Sequence, residues 1–304
     1  EQYYAVKIIK KTGLIDEESL DHVLSENRVL QAIDYPFLVK LYSSFQTTDR
    51  LYFVMEYVKG GELFFHLGKE RKFKEDRVQF YASQVVLALT YLHSKGVVYR
   101  DLKLENLLLD EQGYIKITDF GLCKQGIASE IDRTSTFCGT PEYLAPEILE
   151  EEVYGRSVDW WALGVVIYEM MIGRPPFGPA TNMEQLFNNI LHQKILVPLS
   201  LSTPARSLLE SLLSRDPSKR IGCGPSDGEE LMCHSFFNDT DWDKILKKEV
   251  PAPFVPTITN ECDTRNFDKE FTDLPVVFTP AEGQPGIEGQ LQGFTFVANN
   301  EHLA

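Results

Sequence analysis

Hydrophobic positions along the chain change period several times. Residues 3–9 (Tyr3-Tyr4-Ala5-Val6-Lys7-Ile8-Ile9) are aromatic and β-branched with partial alternation, which predicts a strand. Residues 17–33 place Leu20, Val23, Leu24, Leu30 and Ile33 at helical spacing. Residues 37–45 and 51–55 read as two strands joined by a polar turn, and Gly60-Gly61 breaks the pattern. Helical spacing returns over 62–67 and, in a long amphipathic stretch, over 76–94. Two short strands flank Gln112-Gly113, and residues 157–171 are so nearly all apolar that a helix there must be buried on most sides. Helical segments continue to about Phe237.

Beyond Phe237 the pattern changes. Pro251-Ala252-Pro253-Phe254-Val255-Pro256 cannot be helical. The rest of the chain is polar and punctuated by Pro and Gly, with phenylalanines spread evenly enough to predict a tail wrapped on a domain surface. A small β-rich part, a hinge near residues 57–60 and a larger helical part predict two lobes with a ligand in the cleft between them.

Composition narrows the class. With 304 residues and 43% hydrophobic residues, the chain can bury the core of one large domain or two lobes. It contains no apolar run of roughly eighteen residues and no secretory signal at its start. The five cysteines, Cys123, Cys138, Cys223, Cys233 and Cys262, are scattered without disulfide or zinc spacing, which predicts a reducing compartment, the cytoplasm. A formal net charge of -15 disfavours nucleic acid and suits cationic partners, although the same charge also serves solubility alone. The first residue is Glu, so the chain reads as a piece whose beginning lies elsewhere.

The chemistry concentrates in Val98-Tyr99-Arg100-Asp101-Leu102-Lys103-Leu104-Glu105-Asn106, followed by Thr118-Asp119-Phe120-Gly121. An aspartate, a lysine and an asparagine at fixed offsets, with a second aspartate one short strand later, can set one proton acceptor and two magnesium ligands around a triphosphate. A lone Asp or Asn in a turn is usually structural, so the signal lies in the four together.

These motifs resemble those of eukaryotic protein kinases. The resemblance runs from Tyr3 to about Phe296 and implies an α+β, two-lobed fold. It implies a partial N-lobe over 1–57, a C-lobe over 58–237 and a C-terminal tail over 238–304. It assigns Asp101 as catalytic base, Lys103 as the cation beside the transferring phosphate, and Asn106 and Asp119 as Mg2+ ligands. Lys7 in Ala5-Val6-Lys7 would hold the ATP phosphates, braced by Glu26. Met55, Glu56, Val58 and Leu108 would surround adenine. Glu147 of Ala145-Pro146-Glu147 would pair with Arg220, and Asp159 would brace the catalytic loop. Leu30, Leu41, Tyr99 and Phe120 fit an apolar column linking the lobes, with Tyr99 standing where many kinases have His.

Lys103 and Thr140 match the serine/threonine pattern, and residues 134–143 resemble the AGC group. Thr136 is then an activation phosphosite with Arg100, Lys124 and His22 as cations, modified by an upstream kinase. In the tail, Phe267 and Phe271 would join the nucleotide pocket, Thr279 would be the turn-motif phosphosite and Thr295 the hydrophobic-motif phosphosite. Phe294 and Phe296 would dock on the small lobe, with Leu291 at a position usually aromatic. Within the group, residues 61–67 and 119–124 are most similar to protein kinase B and the serum- and glucocorticoid-regulated kinases, and 101–106 resembles protein kinase B more than the latter, while Thr134-Ser135-Thr136 and Phe296-Val297 also suit protein kinase C relatives. Glu62, Glu105 and Glu169 match positions that face basic residues of substrates, implying an Arg-x-Arg-x-x-Ser/Thr preference and a monomeric enzyme acting on basic protein segments. A redox bridge between Cys123 and Cys138 is a weaker idea than two packed thiols.

One expected part is missing. The glycine-rich loop that precedes the lysine strand does not occur, and Gly222-Cys223-Gly224 does not replace it. The chain is therefore expected to be weak or inactive alone. Two readings follow: a kinase lacking its beginning, or a non-catalytic scaffold of kinase shape. Retention of Lys7, Glu26, Asp101, Lys103, Asn106 and Asp119 favours the first.

Overall fold

The structure is a computed structural model and describes residues 2–14, 16–127, 133–275 and 291–298. Strand β1 (Tyr4–Lys10) pairs antiparallel with β3 (Arg50–Glu56), which pairs with β2 (Leu41–Gln46), in the register Lys7 opposite Phe53 and Ser44 opposite Phe53. Helix α1 (Glu17–Ala32) starts where Asp16 accepts a hydrogen bond from the Ser19 N–H at 2.6 Å. Its inner face buries Val23, Val29 and Leu30 together with the charged Glu26.

The larger lobe begins with α2 (Leu63–Glu70) and α3 (Glu75–Ser94). Four short strands follow, β4 (Val97–Val98), β5 (Leu107–Leu109), β6 (Ile115–Ile117) and β7 (Lys124–Gln125). Strand β5 pairs with β6, and β4 with β7, so two small hairpin-like sheets carry the intervening loops. Helix α4 (Pro146–Leu149) precedes α5 (Ser157–Ile172), whose residues from Val158 to Met171 are all buried. An apolar helix of that kind has to be surrounded, and α5 packs between α3 and α7 (Thr203–Leu212), after α6 (Met183–His192). The short helices α8 (Gly228–Met232), α9 (Trp242–Leu246) and α10 (Lys269–Thr272) and strand β8 (Phe296–Val297) complete the described elements. No helix among the described residues is long and apolar enough to cross a membrane.

Two expectations from the hydrophobic pattern change. Only residues from Leu41 onward form the strand expected over 37–45. Phe37, Leu38 and Val39 are buried, but their backbone bonds β6 of the other lobe: Ile117 N–H donates to Phe37 O, and Val39 N–H to Ile117 O. Helical structure also continues past Phe237, into α9.

The described tail wraps as expected. Phe254 packs against His66 with ring centroids 5.0 Å apart, and the Arg77 guanidinium lies 4.2 Å from its centroid. Further on, Tyr57 Oη donates to Asp263 O at 2.8 Å. Gly61 sits at φ 75, where a Cβ would lie 2.0 Å from Asn266 O, so only glycine lets the tail backbone approach the hinge so closely. Finally, β8 adds to the edge of β2.

Candidate active site

Lys7 projects from β1 toward α1. Its Nζ lies 2.7 Å from Glu26 Oε1 and 3.3 Å from Asp119 Oδ1. Burial alone would lower the Lys7 pKa, but the two carboxylates outweigh it and hold the ammonium above its ordinary range. The pair therefore fixes a permanent cation close to Asp119, which is half exposed and held at φ 58.

The loop between β4 and β5 positions the second cluster. Asp101 is buried, and both of its oxygens are engaged. Thr140 Oγ1 donates to Oδ1 at 2.8 Å, Asn106 Nδ2 donates to Oδ2 at 2.8 Å, and Lys103 Nζ lies 2.9 Å from Oδ2. Lys103 also donates to Thr140 Oγ1 at 2.9 Å, which closes a ring of Asp101, Lys103 and Thr140. The loop itself is strained at Arg100, φ 69, and is held there because Asp159 accepts from both the Tyr99 and Arg100 N–H groups at 2.8 Å.

The residues present fit magnesium. Asn106 spends its amide nitrogen on Asp101, leaving its oxygen as an acceptor, and Asp119 offers a half-exposed carboxylate. No group of three or more His, Cys, Asp or Glu that could hold a metal occurs among the described residues, so an ion here would be shared with phosphate oxygens and water, the usual habit of Mg2+.

At the hinge, Val58 is buried, and neither its N–H nor its C=O has a hydrogen-bond partner among the described residues. Glu56 N–H is spent on Lys40 O, and the Glu56 side chain turns to Lys116 Nζ at 2.9 Å. Met55 and Leu108 are half buried against the core. Phe267 stacks on the hinge residue Tyr57, with centroids 6.3 Å apart. Phe271 lies on α10 and is 68% exposed.

A group of acids gathers around Glu105 of the β4–β5 loop. Glu169 is buried and accepts from Tyr143 Oη at 2.6 Å. Burial pushes its pKa up to about 7; the Tyr143 bond opposes this, and Glu105 and Glu142 add to it. Glu62 is raised too, by burial, then Glu105, then Asp268 of the tail. Glu105 Oε2 is buried with no partner. Tyr143, Glu142 and Asp268 were not singled out by sequence, since no spacing rule brings them to Glu169 or Glu62.

The remaining expectations sort as follows. Thr136 is half buried, and its carbonyl accepts from Tyr154 Oη, which also receives the Arg100 guanidinium at 3.1 Å. Lys124 lies opposite Val98, and α1, carrying His22, packs against β7. Arg220 clamps Glu147 with bonds of 2.6 and 2.9 Å. Tyr99 and Phe120 are buried edge to face, their centroids 5.6 Å apart, with Leu30 and Leu41 also buried. Phe294 is buried edge to face against Phe53, Leu291 is buried, and Thr295 between Phe294 and Phe296 is exposed. Asn27 Nδ2 and Ser44 Oγ both donate to Phe294 O, tying the tail to α1 and β2. Thr279 lies outside the described residues. Cys123 is buried and its thiol is pushed well up by burial, so it stays protonated, which suits a packed thiol better than a redox partner of Cys138.

An ion-paired strand lysine, a carboxylate held by Asn, Lys and Thr, and a loop braced from a buried helix are features of a protein kinase. The comparisons agree: the protein kinase domain matches residues 1–237 and the protein kinase C terminal domain matches residues 258–296. The chain belongs to the protein kinase family, and its tail places it in the AGC group. Within that family it is 55% identical over 281 residues to the RAC-beta serine/threonine-protein kinases of Homo sapiens and Mus musculus, covering 92% of this chain and 58% of each relative. It is 54% identical over 281 residues to RAC-beta serine/threonine-protein kinase A of Xenopus laevis, covering 92% of this chain and 57% of that relative. The chain thus spans 57 to 58% of the length of these relatives.

Proposed function

We propose that the protein transfers the γ-phosphoryl group of ATP to serine or threonine hydroxyls that follow arginines, in the pattern Arg-x-Arg-x-x-Ser/Thr. The observation that carries this reading is the closed ring of Asp101, Lys103 and Thr140, completed by Asn106. Asp101 accepts the substrate hydroxyl proton as the new P–O bond forms. Lys103 offsets the charge that develops on the phosphoryl oxygens. Lys7 orients the α- and β-phosphates, and Glu26 keeps it aimed. Asn106 and Asp119 would hold magnesium, which when bound with ATP neutralises charge on the β- and γ-oxygens. Val58 offers adenine a buried donor and acceptor, and Met55 and Leu108 offer it apolar walls.

Arginine preference is supported by Glu62, Glu105 and Glu169, and above all by the buried, partnerless Glu105 Oε2. A guanidinium would satisfy it with paired hydrogen bonds, which an ammonium cannot form. Phosphate on Thr136 would draw on Arg100, Lys124 and His22. Thr295 is exposed and open to an upstream kinase, and Thr279 is proposed with it as a third site. The protein would act as a monomer in the cytoplasm, on basic protein segments and not on nucleic acid.

The test is phosphate transfer from ATP to an Arg-x-Arg-x-x-Ser peptide by the protein extended upstream of Glu1, run beside a peptide with both arginines neutral and beside Asp101→Asn. A large preference for the basic peptide, lost with Asp101→Asn, is expected. Equal labelling of the neutral peptide sinks the specificity, and a signal unchanged in Asp101→Asn favours the scaffold reading.

A further inference from the structure

His93, in the last turn of α3, takes no part in the chemistry above, yet it is only 1% exposed and lies between two carboxylates. Its Nε2 is 2.8 Å from Asp159 Oδ2, and its Nδ1 is 3.0 Å from Asp227 Oδ2. A neutral imidazole has one N–H and would turn a lone pair toward one of the two anions. Only the imidazolium can donate to both. Asp159 meanwhile accepts the Tyr99 and Arg100 N–H groups, the two residues before Asp101. Asp227 also receives Trp160 Nε1 at 2.9 Å and faces Arg156 Nε at 3.6 Å. It sits at φ 47, ψ -128, a conformation that a non-glycine residue adopts only when its surroundings impose it.

We propose that His93 is a positioning residue: as a buried imidazolium clamped by Asp227, it holds Asp159 in place as acceptor of the two loop N–H groups, and so fixes the backbone that presents Asp101. The proposal rests on the phosphotransfer reading for its catalytic consequence, not for its protonation claim. The charges balance, with Asp159 and Asp227 facing His93 and Arg156. Among the described residues, the Cys123 thiol beside Asp159 and the Cys223 thiol beside Asp227 are both kept neutral by burial. Burial would lower the His93 pKa, but hydrogen bonds to Asp159 and Asp227 outweigh it and lift it to about 9.

The test uses the full chain labelled with 15N-histidine, with His93→Gln to assign the resonance and Asp227→Asn to remove one anion. At about pH 7.5, a neutral surface histidine near its ordinary pKa of about 6.5 has lost its charge. His93 is expected to keep protons on both nitrogens there. Asp227→Asn should bring its titration down toward neutrality, speed amide exchange at Tyr99 and Arg100 by about tenfold or more, and lower kcat as pH rises through the new value. His93→Gln should lose about 10- to 100-fold in kcat, with KM for ATP within about twofold. A single N–H on His93 at that pH overturns the proposal. So does an Asp227→Asn protein with unchanged Tyr99 and Arg100 exchange and an unchanged pH profile. Because this chain is expected to be weak or inactive alone, the kcat comparisons are read in the protein extended upstream of Glu1; no phosphate transfer there fails the functional reading, while resonance and exchange in the chain itself still decide the role of His93.

Discussion

Glu169 should make arginine binding depend on pH near neutrality, and it should also cost the fold stability. The carboxyl is 6% exposed, and burial, aided by Glu105 and Glu142, raises its pKa from 4.5 to about 7. Only the carboxylate pairs with a guanidinium. With half-titration at about 7, the charged fraction is about one in eleven at pH 6 and about ten in eleven at pH 8. The Kd of an Arg-x-Arg-x-x-Ser peptide should therefore fall about tenfold across that interval. The folded state binds this proton more tightly than the unfolded chain, so the stability it provides is complete below about pH 4.5 and is lost as pH rises through about 7. At about 1.36 kcal/mol per pH unit the loss is on the order of 3 kcal/mol by pH 8. Glu169→Gln keeps an acceptor for Tyr143 Oη without a charge. It should match the parent near pH 4.5, exceed it by up to about 3 kcal/mol at pH 8, and bind the peptide weakly at both pH values. Titration calorimetry and urea denaturation read the two effects separately. A peptide Kd that moves less than about twofold between pH 6 and pH 8, or a Glu169→Gln protein less stable than the parent at pH 8, would refute the reasoning.

Arg220→Met strands the buried Glu147 carboxylate and should cost about 3–5 kcal/mol in urea unfolding, most of it recovered in the Arg220→Met/Glu147→Met double variant. Phe294→Ala empties a fully buried site against Phe53; about 3–5 kcal/mol of local stability should go, with faster amide exchange in α1 and weaker ATP binding as Glu26 loosens from Lys7. Thr140→Ala opens the ring around Asp101, so kcat should fall about tenfold or more while peptide KM moves within about twofold. A KM effect alone would place Thr140 in substrate binding instead.

Much of this site is legible in sequence because its chemistry depends on short offsets. Asp101, Lys103 and Asn106 lie within a few residues, and Asp119 follows across the β5–β6 hairpin, so local backbone geometry nearly dictates that they meet. Lys7 and Glu26 are separated by a loop and a helix, yet each sits on a periodic element whose inward face is predictable. What stayed hidden depends on pairings far apart in the chain. The Phe37–Val39 backbone satisfies itself on β6 of the other lobe, and no local pattern distinguishes that from an ordinary strand. The acids around Glu169 come from three separate segments and acquire their raised pKa only through shared burial.

A single physical theme connects the hidden residues to the visible ones. The catalytic loop carries a strained Arg100 and a buried Asp101, and neither would keep its place by local propensity. Hydrogen bonds from the loop end on Asp159, a carboxylate in the apolar, buried helix α5, where an uncompensated charge would be expensive. Its compensation must come from outside the loop, and the structure supplies it through His93 and the strained Asp227. The rigidity of the site thus depends on charges that lie behind it and never meet substrate. Substitutions at that rear cluster should alter turnover more than nucleotide affinity, the reverse of what is expected at Lys7.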